Sequence, residues 1–337
     1  MIFFDNTKGR TQRHRSGLVR LSERLREELG VAARDASWIE ARDQATAGDW
    51  FVTAELFSEA ERPGFGAFIR SRRCRTAAIF ADAIPLKLPH VTWPQSVARH
   101  PYYLKSLALF ESIWAISAAS RDELLGYWRW LGLAATPTIQ VLPLGGDFDR
   151  APRVTMAASR RSPALLCVGI LEPRKNQLFL LDVCEELWRE GLGFELHLVG
   201  RVNPHFGVPI AARIEAMRRT CPGLHYHAAA KDGDLTRLYA SVRATVCPTL
   251  AEGCGLPLLE SLWRGVPCVC SDLPVLRENA DGGGCVPVRL NDRSAWRETL
   301  RQILTDDAWH AKLTGEATTR SLPTWAEAAV LLRSGLD

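Results

Sequence analysis

Ala251-Glu252-Gly253-Cys254-Gly255-Leu256-Pro257-Leu258-Leu259-Glu260 is the stretch on which the fold of this chain turns. It joins a short apolar run, Ala244–Cys247, to an amphipathic one, Leu256–Trp263. A strand that ends at Cys247-Pro248 and turns through glycines into a helix leaves backbone N–H groups open at the helix N-terminus. Such a terminus suits phosphate or sugar oxygens. Gly253 and Gly255 allow close backbone approach. Glu252 stands before the helix and Glu260 about one turn inside it, so both can face one cleft while touching different parts of one ligand. Two carboxylates suit the hydroxyls of a sugar and a ribose. Taken alone, the stretch reads equally well as a glycine-rich helix cap with two solvated acids.

Outward from this stretch, short apolar runs alternate with amphipathic segments, the mark of parallel sheets wrapped by helices. Towards the N-terminus the expected strands are Ile2–Asn6, Trp50–Ala54, Thr76–Ala81, Ser112–Ser117 and Thr138–Leu142, with helices over Leu18–Leu29 and Arg121–Leu131. The second half reads more cleanly. Strands are expected at Ala164–Val168, Phe194–Val199, Leu224–His227, Ala244–Cys247 and Pro267–Ser271. Helices are expected at Asn176–Glu190, Ile210–Thr220, Leu235–Ala240 and Leu256–Trp263, then two short helices and Trp325–Arg333. With 337 residues, two domains are favoured over one core. The boundary is placed at Gly145–Pro163, where Gly145, Gly146, Pro152, Arg160, Arg161 and Pro163 show no hydrophobic period. Ligands of such sheets bind at the carboxyl ends of the strands.

A second segment shifts the balance towards a ligand site. The strand Ala164–Gly169 runs into Ile170-Leu171-Glu172-Pro173-Arg174-Lys175-Asn176 at the start of a helix. Arg174 and Lys175 therefore stand where a strand ends. Arginine binds phosphate bidentately and lysine acts as a compact charge, so together they suit a diphosphate without a metal. As mere surface cations they would sit at a helix N-terminus, where the macrodipole disfavours them.

Composition narrows the class. A content of 47% hydrophobic and 24% charged residues is that of a soluble globular protein. Most of the eleven tryptophans are expected in the core, with some left for an acceptor- or lipid-facing surface. The net charge of +4 excludes a polycation, and we expect no nucleic-acid partner. Basic residues cluster at Lys8, Arg10, Arg13, Arg15, Arg20, Arg24 and Arg26, and again at Arg70, Arg72, Arg73 and Arg75. Two solvated faces, and a surface that meets a phosphorylated acceptor or makes peripheral contact with anionic membrane through Lys8–Arg26, stand as equal readings. Nine irregularly spaced cysteines, with Met1–Asp5 running straight into a strand, suggest reduced thiols and a cytoplasmic location, any membrane contact being peripheral and on the inner face of the cytoplasmic membrane. No apolar run is long enough to cross a bilayer. Cys268 and Cys270 lack a second ligand pair for zinc. His14, His205, His225 and His227 are read as structural, since no nearby carboxylate or cysteine completes a metal set for the last two.

Three motifs stand in order: Gly169-Ile-Leu-Glu-Pro-Arg-Lys-Asn176, Glu252-Gly-Cys-Gly-Leu-Pro-Leu-Leu-Glu260 and Ser271-Asp-Leu-Pro-Val-Leu-Arg-Glu278. They resemble the donor half of the family 4 (group 1) retaining glycosyltransferases, whose E-x7-E pattern Glu252 and Glu260 match. The likeness extends over about Pro163–Arg333. It implies a GT-B fold: two Rossmann-like doubly wound domains facing each other across a cleft. The implied layout is a shortened acceptor-side domain at 1–150, a nucleotide-sugar donor domain at 151–320, and a C-terminal helix at 321–337 that passes back towards the first domain.

The resemblance also implies roles. Arg174 and Lys175 would hold the donor diphosphate, and Glu260 the ribose hydroxyls. Glu252, with the backbone of Gly253, Cys254, Gly255 and Leu256, would hold the transferred sugar. Retention in such enzymes is ascribed to a front-face reaction in which the departing phosphate helps deprotonate the acceptor, so no nucleophile is assigned. In the N-terminal half, Arg15-Ser16-Gly17-Leu18-Val19-Arg20 resembles the small-residue turn near the donor phosphates, which brings in Gly17. Phe80-Ala81-Asp82-Ala83-Ile84-Pro85-Leu86 resembles a motif usually written His-Asp-x-x-Pro. Here Ala81 replaces the histidine, while Asp82 either touches sugar or acceptor or caps the following turn. Cys254 stands where an aromatic is common and reads as a small buried residue. Trp93, His90 and Tyr102-Tyr103 are expected to line the acceptor side.

The resulting expectation is transfer of a hexose from a nucleotide-diphosphate sugar, GDP-mannose before UDP- and dTDP-sugars, to a glycan, lipid-linked or polysaccharide-precursor acceptor, without metal or other cofactor. A GT-B-fold sugar-nucleotide epimerase or phosphorylase, and a catalytically inactive sugar-nucleotide-binding subunit, are the alternatives.

Overall fold

The computed structural model describes residues 1–9, 17–156 and 162–336. Arg10, Arg13, His14, Arg15 and Ser16, together with Arg160 and Arg161 of the expected linker, lie outside the described residues. The chain divides into two compact units, Met1–Gly145 with Pro323–Asp337, and Gly146–Leu322. Each is built on a six-stranded sheet in which every described pairing is parallel.

In chain order the first unit comprises β1 (Ile2–Asp5), α1 (Gly17–Leu29), β2 (Ala33–Ala36), α2 (Trp38–Gln44), β3 (Trp50–Thr53), α3 (Phe65–Ser71) and β4 (Arg75–Phe80). It continues with α4 (Ile84–Lys87), α5 (Pro94–Leu107), β5 (Ser112–Ala115), α6 (Ala118–Trp130) and β6 (Thr138–Val141). The sheet order is β2-β1-β3-β4-β5-β6. β1, β3 and β5 are buried along their whole length, as expected of parallel strands covered on both faces. β2 escaped the sequence reading for the same reason in reverse. As an edge strand it exposes Arg34 and Asp35, so Ala33-Arg-Asp-Ala36 carries no apolar run. Trp38, Phe51, Phe57, Phe65, Phe68 and Phe110 make edge-on and tilted ring contacts at the centre of this core.

The second unit comprises β7 (Ser162–Val168), α7 (Gln177–Arg189), β8 (Glu195–Val199), α8 (Val208–Arg218), β9 (Leu224–His227), α9 (Asp232–Ser241) and β10 (Val242–Cys247). Then follow α10 (Leu256–Trp263), β11 (Cys268–Ser271), α11 (Pro274–Ala280), β12 (Cys285–Val288), α12 (Arg293–Thr305) and α13 (Asp307–Thr319). Its order is β12-β11-β10-β7-β8-β9. The chain starts in the middle, builds outwards through β8 and β9, then crosses back to lay β10 against the other side of β7. That reversal opens a crevice at the carboxyl ends of β7 and β10. β12 was not foreseen, because Pro287 interrupts its pattern; proline is tolerated there since the strand is an edge. The two helices expected to be short, α12 and α13, each span 13 residues.

The last helix, α14 (Trp325–Ser334), belongs to the first unit and packs on α1. A reciprocal cap starts it: Thr324 accepts from the Glu327 N–H, and Glu327 accepts from the Thr324 N–H. Trp325 is fully buried. Seven tryptophans are core residues, as expected, while Trp130 is 78% exposed.

Candidate functional site

β7 and β10 lie side by side, so the loops that leave their carboxyl ends meet. After β7 the chain passes through Gly169 to a single tight turn, Pro173–Lys175, and Asn176 takes a left-handed φ of 57° to start α7. The loop after β10 is sewn to this turn. Leu250 N–H and the Thr249 hydroxyl both donate to the Arg174 carbonyl, at 2.8 and 3.1 Å. Arg174 Nη1 in turn donates to the Ala251 carbonyl at 2.8 Å.

This stitching brings Arg174, Lys175 and Glu252 together. Lys175 Nζ lies 2.6 Å from Glu252 Oε1, and Arg174 Nη1 lies 3.3 Å from Oε2. Glu172 takes the other edge of Arg174 at 2.7 Å and also accepts from the Asn203 side-chain amide at 3.0 Å. Burial pushes the Glu252 carboxyl up, but Lys175 and then Arg174 outweigh it and hold the group below its ordinary value. The site is thus a balanced quartet of two cations and two carboxylates. Lys175, Glu252, Cys167, Val168, Thr249 and Gly255 line an open crevice.

Two glycines shape the crevice. A Cβ at Gly169 would stand 3.3 Å from Lys175 Cε, so the lysine stem lies across bare backbone. Gly255 sits at φ +80° just before α10, and a Cβ there would meet Leu276 Cδ2 at 2.5 Å. Gly255 therefore supplies the left-handed turn and keeps α11 close. Cys254 is buried, and burial pushes its thiol up to about 12, so it stays protonated and packs.

Glu260 does not join the quartet. It is 2% exposed, and the Tyr239 hydroxyl donates to it at 3.3 Å from α9. Its neighbour Arg264 pairs with Asp149 and lies over the Tyr239 ring. In the chain as it stands, the second glutamate of the E-x7-E pattern faces the interior.

In the first unit Asp82 follows β4, and its Oδ1 accepts the Ile84 N–H at 3.0 Å, a turn-capping contact at the entry to α4. The backbone there is held twice more. The Ser120 hydroxyl donates to the Ala81 carbonyl at 2.6 Å, and His100 Nε2 lies 3.2 Å from the Asp82 carbonyl. His100 was missed in the sequence because it arrives from α5, 18 residues further on. Burial lowers its pKa to about 4, which fixes it as a neutral donor at pH 7. A Cβ at Gly17, the first residue of α1, would meet no described atom within 4 Å. Tyr103, expected on the acceptor side, is instead a core residue against Phe57, because its face of α5 packs inwards; Tyr102 and Trp93 remain at the surface.

A buried charge network was also missed. Asp5, at the carboxyl end of β1, accepts from Thr53 at 2.6 Å and pairs with Arg62 at 2.7 Å, both fully or nearly fully buried. Arg62 also pairs with Glu55, which accepts the N–H groups of Lys8 and Gly9 at 2.8 and 3.0 Å. Burial and Asp5 raise the Glu55 carboxyl above its ordinary value. These residues surround the switch point between β1 and β3. The basic stretch is paired where it is described: Lys8 with Glu61, Arg24 with Glu27 and Glu28, and Arg26 with Asp35.

The reading of His225 and His227 needs correction. β8 lies beside β9 with His197 opposite His225, and this register places the Glu195 carboxylate 3.8 Å from His225 Nε2. A carboxylate therefore does stand beside these histidines. The pairing of distant strands supplies it, which spacing within one strand could not reveal.

The family profile described as "Glycosyl transferases group 1" matches residues 162–306. A serotype-specific mannosyltransferase, WbdA, of Escherichia coli is 29% identical over 228 residues, 61% of this chain and 28% of that protein. The O-antigen chain mannosyltransferase B of Escherichia coli is 37% identical over 146 residues, 43% of this chain and 37% of that protein. The chain thus spans under a third of the length of WbdA. Among solved structures, Anabaena Alr3699/HepE in complex with UDP and glucose superposes with a TM-score of 0.69 at 13% identity, over 94% of this chain and 88% of that one. Residues 162–306 thus match the group 1 glycosyltransferase profile, and the two Rossmann-like units have the GT-B fold of the glycosyltransferase structures they superpose on.

Proposed function

We propose that the chain transfers a hexose, mannose first among the candidates, from a nucleotide-diphosphate sugar to a glycan or polysaccharide-precursor acceptor, with retention of configuration and without a metal at the donor site. The meeting of Arg174, Lys175 and Glu252 at the β7/β10 switch point carries this reading. Without ligand the two cations are matched by Glu172 and Glu252. A diphosphate brings its own negative charge, so Lys175 exchanges its contact with Glu252 for a phosphate oxygen. Glu252 is then freed to accept a hydroxyl of the sugar. As the bond to the sugar breaks, charge grows on the leaving phosphate, and Arg174 and Lys175 stabilise it in place. Preorganised groups of this kind are worth about 10²–10³ in rate each. Glu260 meets Tyr239 through Oε2, and its other carboxylate oxygen is proposed to accept a ribose hydroxyl. The mannosyltransferases that the chain resembles motivate GDP-mannose and a polysaccharide acceptor.

The test is a panel of GDP, UDP and dTDP by thermal shift, followed by transfer assays with the nucleotide-sugar that binds. A nucleotide at 100 times its dissociation constant stabilises by about 2.7 kcal/mol, a rise of about 5–10 °C for a unit of this size. Nucleoside diphosphate release that requires an acceptor, persists in chelator and gives a product of unchanged anomeric configuration supports the reading. Release without any acceptor points to the epimerase or phosphorylase alternative, and no shift with any nucleotide refutes a donor site here.

A further inference from the structure

We infer that Glu195, His197 and His225 form a binding site for a divalent transition ion of the zinc type on the outer edge of the second sheet. Among the described residues this is the group in which three ligand atoms lie within 4.8 Å of one another. Its construction follows from the sheet. Glu195 and His197 are two apart on β8, so they share a face, and the parallel register sets His225 of β9 opposite His197. The imidazoles of His197 and His225 stack at 4.7 Å between centroids. Glu195 reaches across their Nε2 ends, 3.1 Å from His197 and 3.8 Å from His225.

The chemistry of the set selects the ion. Two imidazoles and one carboxylate suit zinc, copper or nickel, whereas magnesium and calcium prefer oxygen alone. Zinc holds such atoms about 2.0–2.1 Å away, so neighbouring ligands end about 3.3 Å apart and the cluster closes by movements of about 1 Å. Glu195 is half-exposed and free to make that movement. His227 completes the arrangement one step out. Its Nε2 lies 3.2 Å from His197 Nδ1, and its ring stacks on His197 at 5.5 Å. When His197 Nε2 binds the ion, its Nδ1 carries the proton and donates it to His227, the outer hydrogen bond that orients a metal-bound imidazole.

The site lies at the amino-terminal half of β8 and β9, while the Lys175–Glu252 crevice lies at the carboxyl ends of β7 and β10. The ion therefore ties β9, the outermost strand, to β8 and takes no part in sugar transfer.

The test is titration of the full chain with Zn2+ alone, against Mg2+ as control, by calorimetry at pH 7. The expected result is one equivalent of Zn2+ bound with micromolar or tighter affinity, a rise in unfolding temperature, and no binding of Mg2+. Glu195→Gln and His225→Asn each weaken Zn2+ binding at least tenfold, while His205→Asn, at a separate position of the same unit, leaves it unchanged. Because instability of a variant would also weaken binding, Zn2+-edge anomalous scattering from the unaltered chain provides a direct readout, with its peak expected between Glu195, His197 and His225. Undiminished binding in the His197→Asn/His225→Asn double variant, binding only at millimolar Zn2+, or a peak elsewhere would overturn the proposal.

Discussion

The Lys175 ammonium lies 2.6 Å from a Glu252 carboxylate oxygen although 77 residues separate them in the chain. The two belong to loops that meet only because β10 returns to the flank of β7. Removing one partner leaves the other partly buried and uncompensated. Lys175→Met and Arg174→Met are each expected to lower transfer by about 10²–10³-fold with smaller changes in the fold's stability. Steady-state kinetics on the two variants check this, with circular dichroism as the control.

The same pair sets an acid limit. The Glu252 pKa is held below its unfolded value, so its contribution is complete above the ordinary carboxylate range and is lost as pH falls through the folded value. Urea unfolding from pH 7 down to pH 3 should show the wild type losing more stability below about pH 4.3 than Glu252→Gln does. Parallel curves for the two proteins would contradict the assigned pairing.

His100 acts in a different window. Its folded pKa of about 4 lies below the unfolded value of 6.5, so the unfolded chain takes up the proton first as pH falls. Stability contributed by the neutral ring is present above pH 6.5 and declines towards pH 4, by about 3 kcal/mol in total. His100→Gln keeps a donor near the Asp82 carbonyl and does not titrate. Its stability should flatten between pH 6.5 and 4 relative to wild type.

Arg62 is buried between Asp5 and Glu55. Truncating one partner of a buried pair costs about 3–5 kcal/mol, because the remaining charge is left without compensation. Arg62→Met should therefore lower the unfolding free energy of the first unit by that amount, and Asp5→Asn/Arg62→Met should recover part of it. Chemical denaturation of the three proteins decides.

Gly255→Ala combines a left-handed φ of +80° with a Cβ 2.5 Å from Leu276 Cδ2. The backbone conformation alone costs about 1–2 kcal/mol. Loss of stability should be accompanied by weaker nucleotide binding, since the α10 N-terminus moves with the turn. Thermal shift with and without nucleoside diphosphate measures both.

The sequence by itself determined the parts whose signal is local. β7, β9, β10 and α10 follow from apolar runs and glycine turns, and the E-x7-E and Arg-Lys motifs mark the strand ends where a ligand site forms. Edge strands β2 and β12 were not legible, because an edge needs only part of its surface buried and tolerates Arg34, Asp35 and Pro287. Tertiary structure alone decided the rest. Pairing of β8 with β9 set Glu195 beside His225, and the fold of α5 carried His100 beneath Asp82. The Tyr239 hydroxyl of α9 holds Glu260 of α10, whereas the meeting of two loops gave Glu252 to Lys175. The physical reason is common to all four. A motif states which charges a segment carries, but desolvation and pairing depend on neighbours that strand order brings from elsewhere in the chain.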